Sequence, residues 1–321
     1  MLTDVFALLI VVLGLAVFET VSSVDNAVIN ADVLSTMGQR ARRWFLLWGL
    51  LISVFAVRGL LPWLIVWGAT PDLGPLGALT ATFSDDPHVV ESIERSAPVL
   101  FAGAGVFLVL LFVHWLFLEP KHYGLIGERF FHAQAPWFFT AASVILALIV
   151  WFALRRDPLM AFGAVLGSTA FFITHGFKQY MEQGEKELIA TGGSDVSKVF
   201  YLSVIDATFS IDGVLGAFAF TLSVPLILLG NGLGAIVVRQ MTVSNIERIK
   251  RYRYLKNGAM YSIFCLGAVM VGESFGMEVP VWIPPLITFG VLGFFFYRSW
   301  VLVRAEAEEE EDATIGRREG E

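Results

Sequence analysis

Glu19-Thr20-Val21-Ser22-Ser23-Val24-Asp25-Asn26 and Asp206-Ala207-Thr208-Phe209-Ser210-Ile211-Asp212-Gly213 are the two stretches on which the fold turns. Each runs acid, three residues, serine, a β-branched residue, aspartate, then a small or polar residue. The first ends an apolar run that begins near Val5, and the second lies between Val199 and Leu222. An ionisable side chain at the centre of a bilayer costs at least about 2.5 kcal/mol, so carboxylates kept there are functional candidates. Their appearance twice in one pattern points to a cation pathway built from an internal repeat.

The composition fixes the solvent. Of 321 residues, 56% are hydrophobic and 16% charged, where a soluble domain carries about 25% charged residues. Mean hydropathy is +0.70. Apolar runs near the roughly 20 residues that cross a bilayer as helix recur along the chain. They predict an all-α polytopic membrane protein of about nine transmembrane helices, near residues 4–36, 43–66, 98–118, 137–154, 158–176, 199–222, 225–244, 256–275 and 280–300. The N-terminal run carries Asp4 rather than a basic flank, and reads as a retained first helix rather than a signal peptide. Cys265 stands alone, which excludes internal disulfides and thiolate clusters within one chain. Trp44, Trp48, Trp63, Trp67, Trp137, Trp151, Trp282 and Trp300 fall near span ends, as an interfacial belt predicts.

Basic residues in short loops set the expected orientation. With the N-terminus outside, Arg40, Arg42, Arg43, Lys121, Arg129, Lys178, Lys186, Lys198 and the Arg248–Lys256 cluster face the cytoplasm. Only Arg95, Arg155 and Arg156 fall outside, and the C-terminus lies inside. The expected setting is therefore a cell membrane. On this plan the two acidic motifs lie in antiparallel helices, and Ala56-Val57-Arg58 is echoed by Val237-Val238-Arg239 in the helix after each. The plan is an inverted-topology repeat: a first repeat over 1–154, a linking helix and cytoplasmic connector over 155–198, and an inverted second repeat over 199–304. A disordered acidic tail over 305–321 follows, carrying Glu308 to Asp312. Residues 67–97, with Asp72, Asp85, Asp86, Glu91 and Glu94, read as a hydrated outside loop, or else as an acidic vestibule.

Helical spacing sorts the polar residues. Glu19, Ser23, Asn26 and Asn30 at i, i+4, i+7 and i+11 share one stripe, and Asp25 lies about 120° away from it. Asp206, Ser210 and Gly213 repeat that stripe, with Asp212 off it. Either each helix meets polar surroundings on two sides, or it unwinds near the serine and turns both carboxylates into one cavity; unwinding is the expectation. Oxygen ligands of this kind suit hard divalent ions such as Mn²⁺, Ca²⁺ or Mg²⁺ rather than zinc or copper. His114 and His175 read first as hydrogen-bonded core or interfacial residues, and second as ligands or proton relays. The bland reading of the acids is ion pairing with Arg58 and Arg239. Two arginines set against four acids leave negative charge for a cation or protons.

The paired motifs, with an arginine after each, resemble the signatures of the TerC family of integral membrane proteins, named for tellurium resistance. The resemblance implies an inverted-repeat transporter and export of manganese or a related divalent ion. It implies Glu19, Asp25, Asn26, Asp206 and Asp212 as metal ligands, with Ser23, Asn30, Arg58, Ser210, Gly213 and Arg239 supporting or gating them. The chain departs from the common pattern where Gly213 stands opposite Asn26.

The expected function is therefore secondary transport of a divalent cation, manganese first, with protons on the same carboxylates as the counter-ion. No Gly-x4-Gly-Lys-Ser/Thr run is present to bind ATP. No cofactor, no enzymatic activity and no nucleic-acid partner are expected; the partners are the lipid bilayer and the ion. A membrane scaffold in metal or tellurite stress is the alternative. An intramembrane aspartyl protease is the minor one, since Asp212 lacks a glycine two residues before it.

Overall fold

The computed structural model describes residues 2–49, 52, 57–80, 87–190, 194–244 and 251–319, and among these it contains no strand. Its helices are α1 (Leu2–Ser22), α2 (Val24–Ser35), α3 (Gln39–Trp44), α4 (Leu60–Ala69), α5 (Gly74–Thr80), α6 (Pro87–Leu118), α7 (Ile126–Ala133), α8 (Phe138–Leu154), α9 (Pro158–Ala190), α10 (Asp195–Ala217), α11 (Val224–Ser244), α12 (Leu255–Ser274) and α13 (Ile283–Glu319). Among the described residues, 8 helices are long and apolar enough to cross a membrane: α1, α6 and α8 to α13. The chain is an all-helical polytopic membrane protein.

The expected second span, 43–66, is not one helix. After α3 comes a π-helical turn, Phe45–Gly49, and Arg58 and Gly59 form a turn before α4 starts at Leu60. Pro62 explains the start. Deep in a helix it would remove a backbone hydrogen bond and clash with the preceding turn, costing about 3 kcal/mol, but the first turn has unpaired N–H groups in any case.

Unwinding at the motifs is nearly absent. Ser23 separates α1 from α2 at φ −90° and ψ 6°. The ladder still runs through it, from Ser23 N to Glu19 O at 3.1 Å and from Ala27 N to Ser23 O at 3.0 Å. The second motif lies wholly inside α10 without a break. The alternative reading holds for α10: a regular helix with polar neighbours on two sides.

The long helix α6 runs through the middle, its Val106, Leu108, Leu110 and Trp115 fully buried against α9 and α12. Glycine permits the closest approach: a side chain at Gly163 would run into the Val99 carbonyl, and one at Gly267 into Leu108. The first span lies against α11, where Gly230 and Gly234 receive Leu15 and Glu19. At the far end of α2, Lys198 Nζ at the start of α10 donates to Thr36 O at 3.1 Å. Trp151 on α8 and Phe294 and Trp300 on α13 are exposed, as lipid-facing side chains would be.

Two boundaries differ from expectation. Helix α13 continues to Glu319 through the stretch expected to be disordered, because Ala, Glu and Arg are strong helix formers. Arg304 Nε also meets Glu308 Oε1 at 3.0 Å, one turn on. Likewise α9 carries span five on to Ala190, so the connector begins as an extension of that helix. In the segment 67–97, α5 and the start of α6 are helical, while Asp85 and Asp86 lie outside the described residues.

Candidate ion site between two antiparallel motifs

Glu19 sits fully buried at the end of α1. Its Oε1 accepts hydrogen bonds from Ser23 Oγ at 2.8 Å and Arg58 Nε at 2.8 Å, and the Arg58 Nη2 lies 2.6 Å away. Arg58 Nη1 also approaches Asp206 Oδ2 of α10 at 3.9 Å. One guanidinium therefore spans the leading acids of both motifs. Asn26 Nδ2 donates to Asp206 Oδ1 at 2.5 Å. Ser210 departs from Ser23: its Oγ bonds back to the Asp206 carbonyl at 2.6 Å instead of to a carboxylate.

The pairing has a register. A side chain at Gly213 would run into Glu19 Oε2, so the first position of the first motif meets the last position of the second. Asn26 on Asp206 is the reciprocal contact, last position on first. Residue numbers rise on one helix as they fall on the other, so the two motifs pack antiparallel about a local twofold. Among the described residues, Glu19 Oε2, Asn26 Oδ1 and Asn30 Oδ1 are acceptor oxygens buried at and beside this junction without a hydrogen-bond partner. Leaving such groups unpaired costs about 1–3 kcal/mol each. A pocket of about 50 Å³ reaches the junction, lined by Asn30, Arg58, Asp206, Arg239 and Thr242.

Asp212 is elsewhere. It meets Lys178 of α9, with Oδ2 2.5 Å from Nζ, and its Oδ1 has no hydrogen-bond partner. It lines a second cavity of about 620 Å³ with His114, Glu119, His175, Lys178 and Lys256. Six residues along a helix turn a side chain by about 120° and lift it about 9 Å, so Asp206 and Asp212 serve separate surroundings. Just beyond the end of α6, Glu119 Oε2 lies 2.8 Å from Lys256 Nζ, and Oε1 is 3.5 Å from His114 Nδ1. Burial opposes ionisation of Glu119, but the His114 contact and the Lys256 charge outweigh it and hold the carboxyl well below its usual range. Nearby, Lys121 Nζ caps α6 by donating to the carbonyls of Trp115 and Leu116. Burial pushes it down from 10.5 to about 8, against the pull of Glu128 and Glu119.

Of the expected site residues, the structure brings together Glu19, Ser23, Asn26, Arg58, Asp206 and Gly213, with Asn30 and Arg239 along the adjoining pocket. Among the described residues Ser210 bonds to its own helix backbone, and Asp212 is separated from the rest. The Asp25 side chain lies outside the described residues. Arg239 makes no ion pair among the described residues, so the expected pairing with an acid is met by Arg58 alone. Sequence reading missed Lys178 as the partner of Asp212, and Asn231, which is fully buried with neither polar atom hydrogen-bonded. The asparagine was visible as a polar residue within the apolar run 225–244.

No solved structure matches the chain significantly. Over 161 residues the chain is 26% identical to the protein of Bacillus subtilis (strain 168) described as "Uncharacterized membrane protein YceF". That alignment covers 49% of this chain and 59% of the relative, so the chain spans less than two thirds of the relative's length. The family described as "Protein of unknown function (DUF475)" matches residues 24–306, a stretch that begins just after Ser23 and takes in Asn26 and the whole second motif. The chain belongs to the DUF475 family.

Proposed function

We propose that this membrane protein is a secondary transporter of a hard divalent cation, manganese first, and that the ion is exported through the junction of the two motifs. The observation that carries the reading is the set of buried acceptor oxygens without donors beside the Glu19–Arg58–Asp206 cluster. Carboxylate and amide oxygens are the ligands that Mn²⁺, Mg²⁺ and Ca²⁺ take. The resemblance of the motifs to the TerC family supports the same substrate class and direction.

Arg58 supplies the switch in this reading. With its guanidinium on Glu19, one positive charge stands where a cation would bind. A rotation of Arg58 out of the junction frees Glu19 Oε1, and Asp206 and Asn26 complete an oxygen-rich site. Its return expels the ion by charge repulsion. Arg58 lies in a turn with Gly59 rather than inside a regular helix, so its side chain has no helical face to follow.

The scaffold alternative draws on the same ion pair, which also staples three segments together. The protease alternative needs two converging aspartates; Asp206 and Asp212 lie in separate surroundings, and the Asp25 side chain lies outside the described residues. Proteoliposome uptake of Mn²⁺, Ca²⁺ and Mg²⁺ tests the proposal. Wild-type protein is expected to carry one of these ions, and Asp206→Asn to reduce that flux at least about tenfold, the cost of roughly 1.4 kcal/mol in the transport barrier. Absence of flux for all three ions with folded protein would reject transport and leave the scaffold.

A further inference from the structure

The second cavity is not used by the ion site, yet it gathers titratable groups from four helices. His114 and Glu119 come from α6 and its end, His175 and Lys178 from α9, Asp212 from α10 and Lys256 from α12. Among the described side chains, α1 contributes Val21 and Ser22 and α2 contributes Val24 and Val28, none of which titrates. The His114 and His175 rings lie 3.7 Å apart between centroids. Among the described residues, His175 Nε2 and Asp212 Oδ1 have no hydrogen-bond partner, while His114 Nδ1 lies 3.5 Å from Glu119 Oε1.

We propose that this cavity is a proton-transfer site in which His114 and His175 hold one proton between them and exchange it with Asp212. Two imidazoles in ring contact cannot both ionise cheaply, because like charges at that separation repel strongly in a poorly solvated site. Glu119, fixed by Lys256, stays anionic beside His114 and steadies a single positive charge on the pair. The step balances simply. An N–H bond on the imidazolium breaks, an O–H bond forms on Asp212, and a cation and an anion become two neutral groups. Lys178 and Lys256 keep their charge throughout, so the net charge of the cavity does not change. The volume of about 620 Å³ and its polar lining suit water bridging between the donor and acceptor atoms.

A metal is disfavoured here. Lys178 and Lys256 both line the cavity and oppose a divalent cation there. If the junction carries a cation, this cavity is the place where the counter-flowing proton is handled, and each motif divides its labour: Asp206 for the ion, Asp212 for the proton. That purpose rests on the transport reading. The protonation chemistry does not.

The test is a pH titration of the full chain in lipid nanodiscs, with ¹³C,¹⁵N-labelled histidine rings observed by NMR between pH 5 and 9 in metal-free buffer. The chain has 5 histidines, and His114→Gln and His175→Gln assign the pair. The expected result is coupled titration of the two rings, with one proton taken up per pair. His175→Gln then converts His114 to a single step. Asp212→Asn shifts the apparent midpoint of the pair by about one unit, a tenfold change in proton affinity. Glu119→Gln, at a position partly open to solvent, gives a second shift in the opposite sense to the loss of a positive neighbour. Independent titration of the rings, rings that stay neutral throughout, or a pair insensitive to Asp212→Asn would overturn the proposal. These outcomes are separate from those of the uptake assay: an unlinked pair in a protein that moves Mn²⁺ sinks the proton site alone, whereas a linked pair in a protein that moves no ion sinks transport alone.

Discussion

The two motifs share a spacing and differ in what that spacing is made to do. In the first, Glu19 is fully buried and gripped by Ser23 and Arg58. In the second, Asp206 keeps 16% of its side chain exposed, takes one hydrogen bond from Asn26 and stands 3.9 Å from the arginine. The difference traces to the last motif position. Gly213 has no side chain and leaves room for the Glu19 carboxylate, whereas Asn26 reaches across to Asp206. One half of the junction is a clamped anion, and the other is an anion held by an amide beside a pocket. A repeated motif can thus keep its packing stripe while its two copies take on different electrostatic tasks.

The asymmetry is open to attack by mutation, and the largest effect falls on the clamp. Glu19→Gln removes the close carboxylate partner of the buried Arg58 and is expected to cost about 3–5 kcal/mol of stability, read as a lowered thermal midpoint in detergent. Asp206→Asn removes a weaker, partly solvated interaction and is expected to cost about 1 kcal/mol. Equal losses from the two would erase the distinction drawn between the halves. Exchanging the last positions sharpens the comparison. Gly213→Ala pushes a methyl group into Glu19 and is expected to destabilise by about 1–3 kcal/mol. Asn26→Gly removes the hydrogen bond to Asp206 at a cost of about 1.5–3 kcal/mol. A harmless Gly213→Ala would show that Glu19 does not pack as described.

The smallest effects are those of pH at the loop after α6. Glu119 is held below its ordinary value of 4.5, so its contribution to stability is complete above that pH and lost as the pH falls through the depressed value. Lys256→Met should weaken this acid dependence in pH-resolved melting curves. Lys121 has the opposite sense. Its value falls from 10.5 to about 8, so between those limits the folded state binds fewer protons than the unfolded state, and stability rises with pH. Lys121→Met is expected to flatten that rise, and an unchanged slope would show that the lysine is solvated.

Much of the junction was legible in the sequence because it follows from helical spacing alone. Residues at i, i+4, i+7 and i+11 must share a face, and Glu19, Ser23, Asn26 and Asn30 are all buried. The same arithmetic put Asp212 on another face. What it could not supply was the neighbour on that face: Lys178 lies 34 residues away in α9, and no local pattern encodes which helix packs there. Without a countercharge in view, unwinding is the economical way to reconcile off-axis carboxylates, and for Asp212 the lysine makes it unnecessary. Pro62 carried the signal for the broken second span, but hydropathy counts it as one residue in an apolar run. The tail departs from the expected disorder for the reverse reason. Net charge argues for disorder, whereas the helix propensity of Ala305 to Asp312 argues for continuation of α13, and local propensity prevails where a long helix already leads into the segment.

The central claim is that a divalent cation binds between Glu19, Asn26 and Asp206. An anomalous-scattering map at the manganese absorption edge, from crystals of the full chain equilibrated with Mn²⁺, tests it most directly. The account predicts a peak at that junction with Arg58 displaced from Glu19. A peak confined to the Asp212 cavity, or no peak with Arg58 still bound to Glu19, would contradict it.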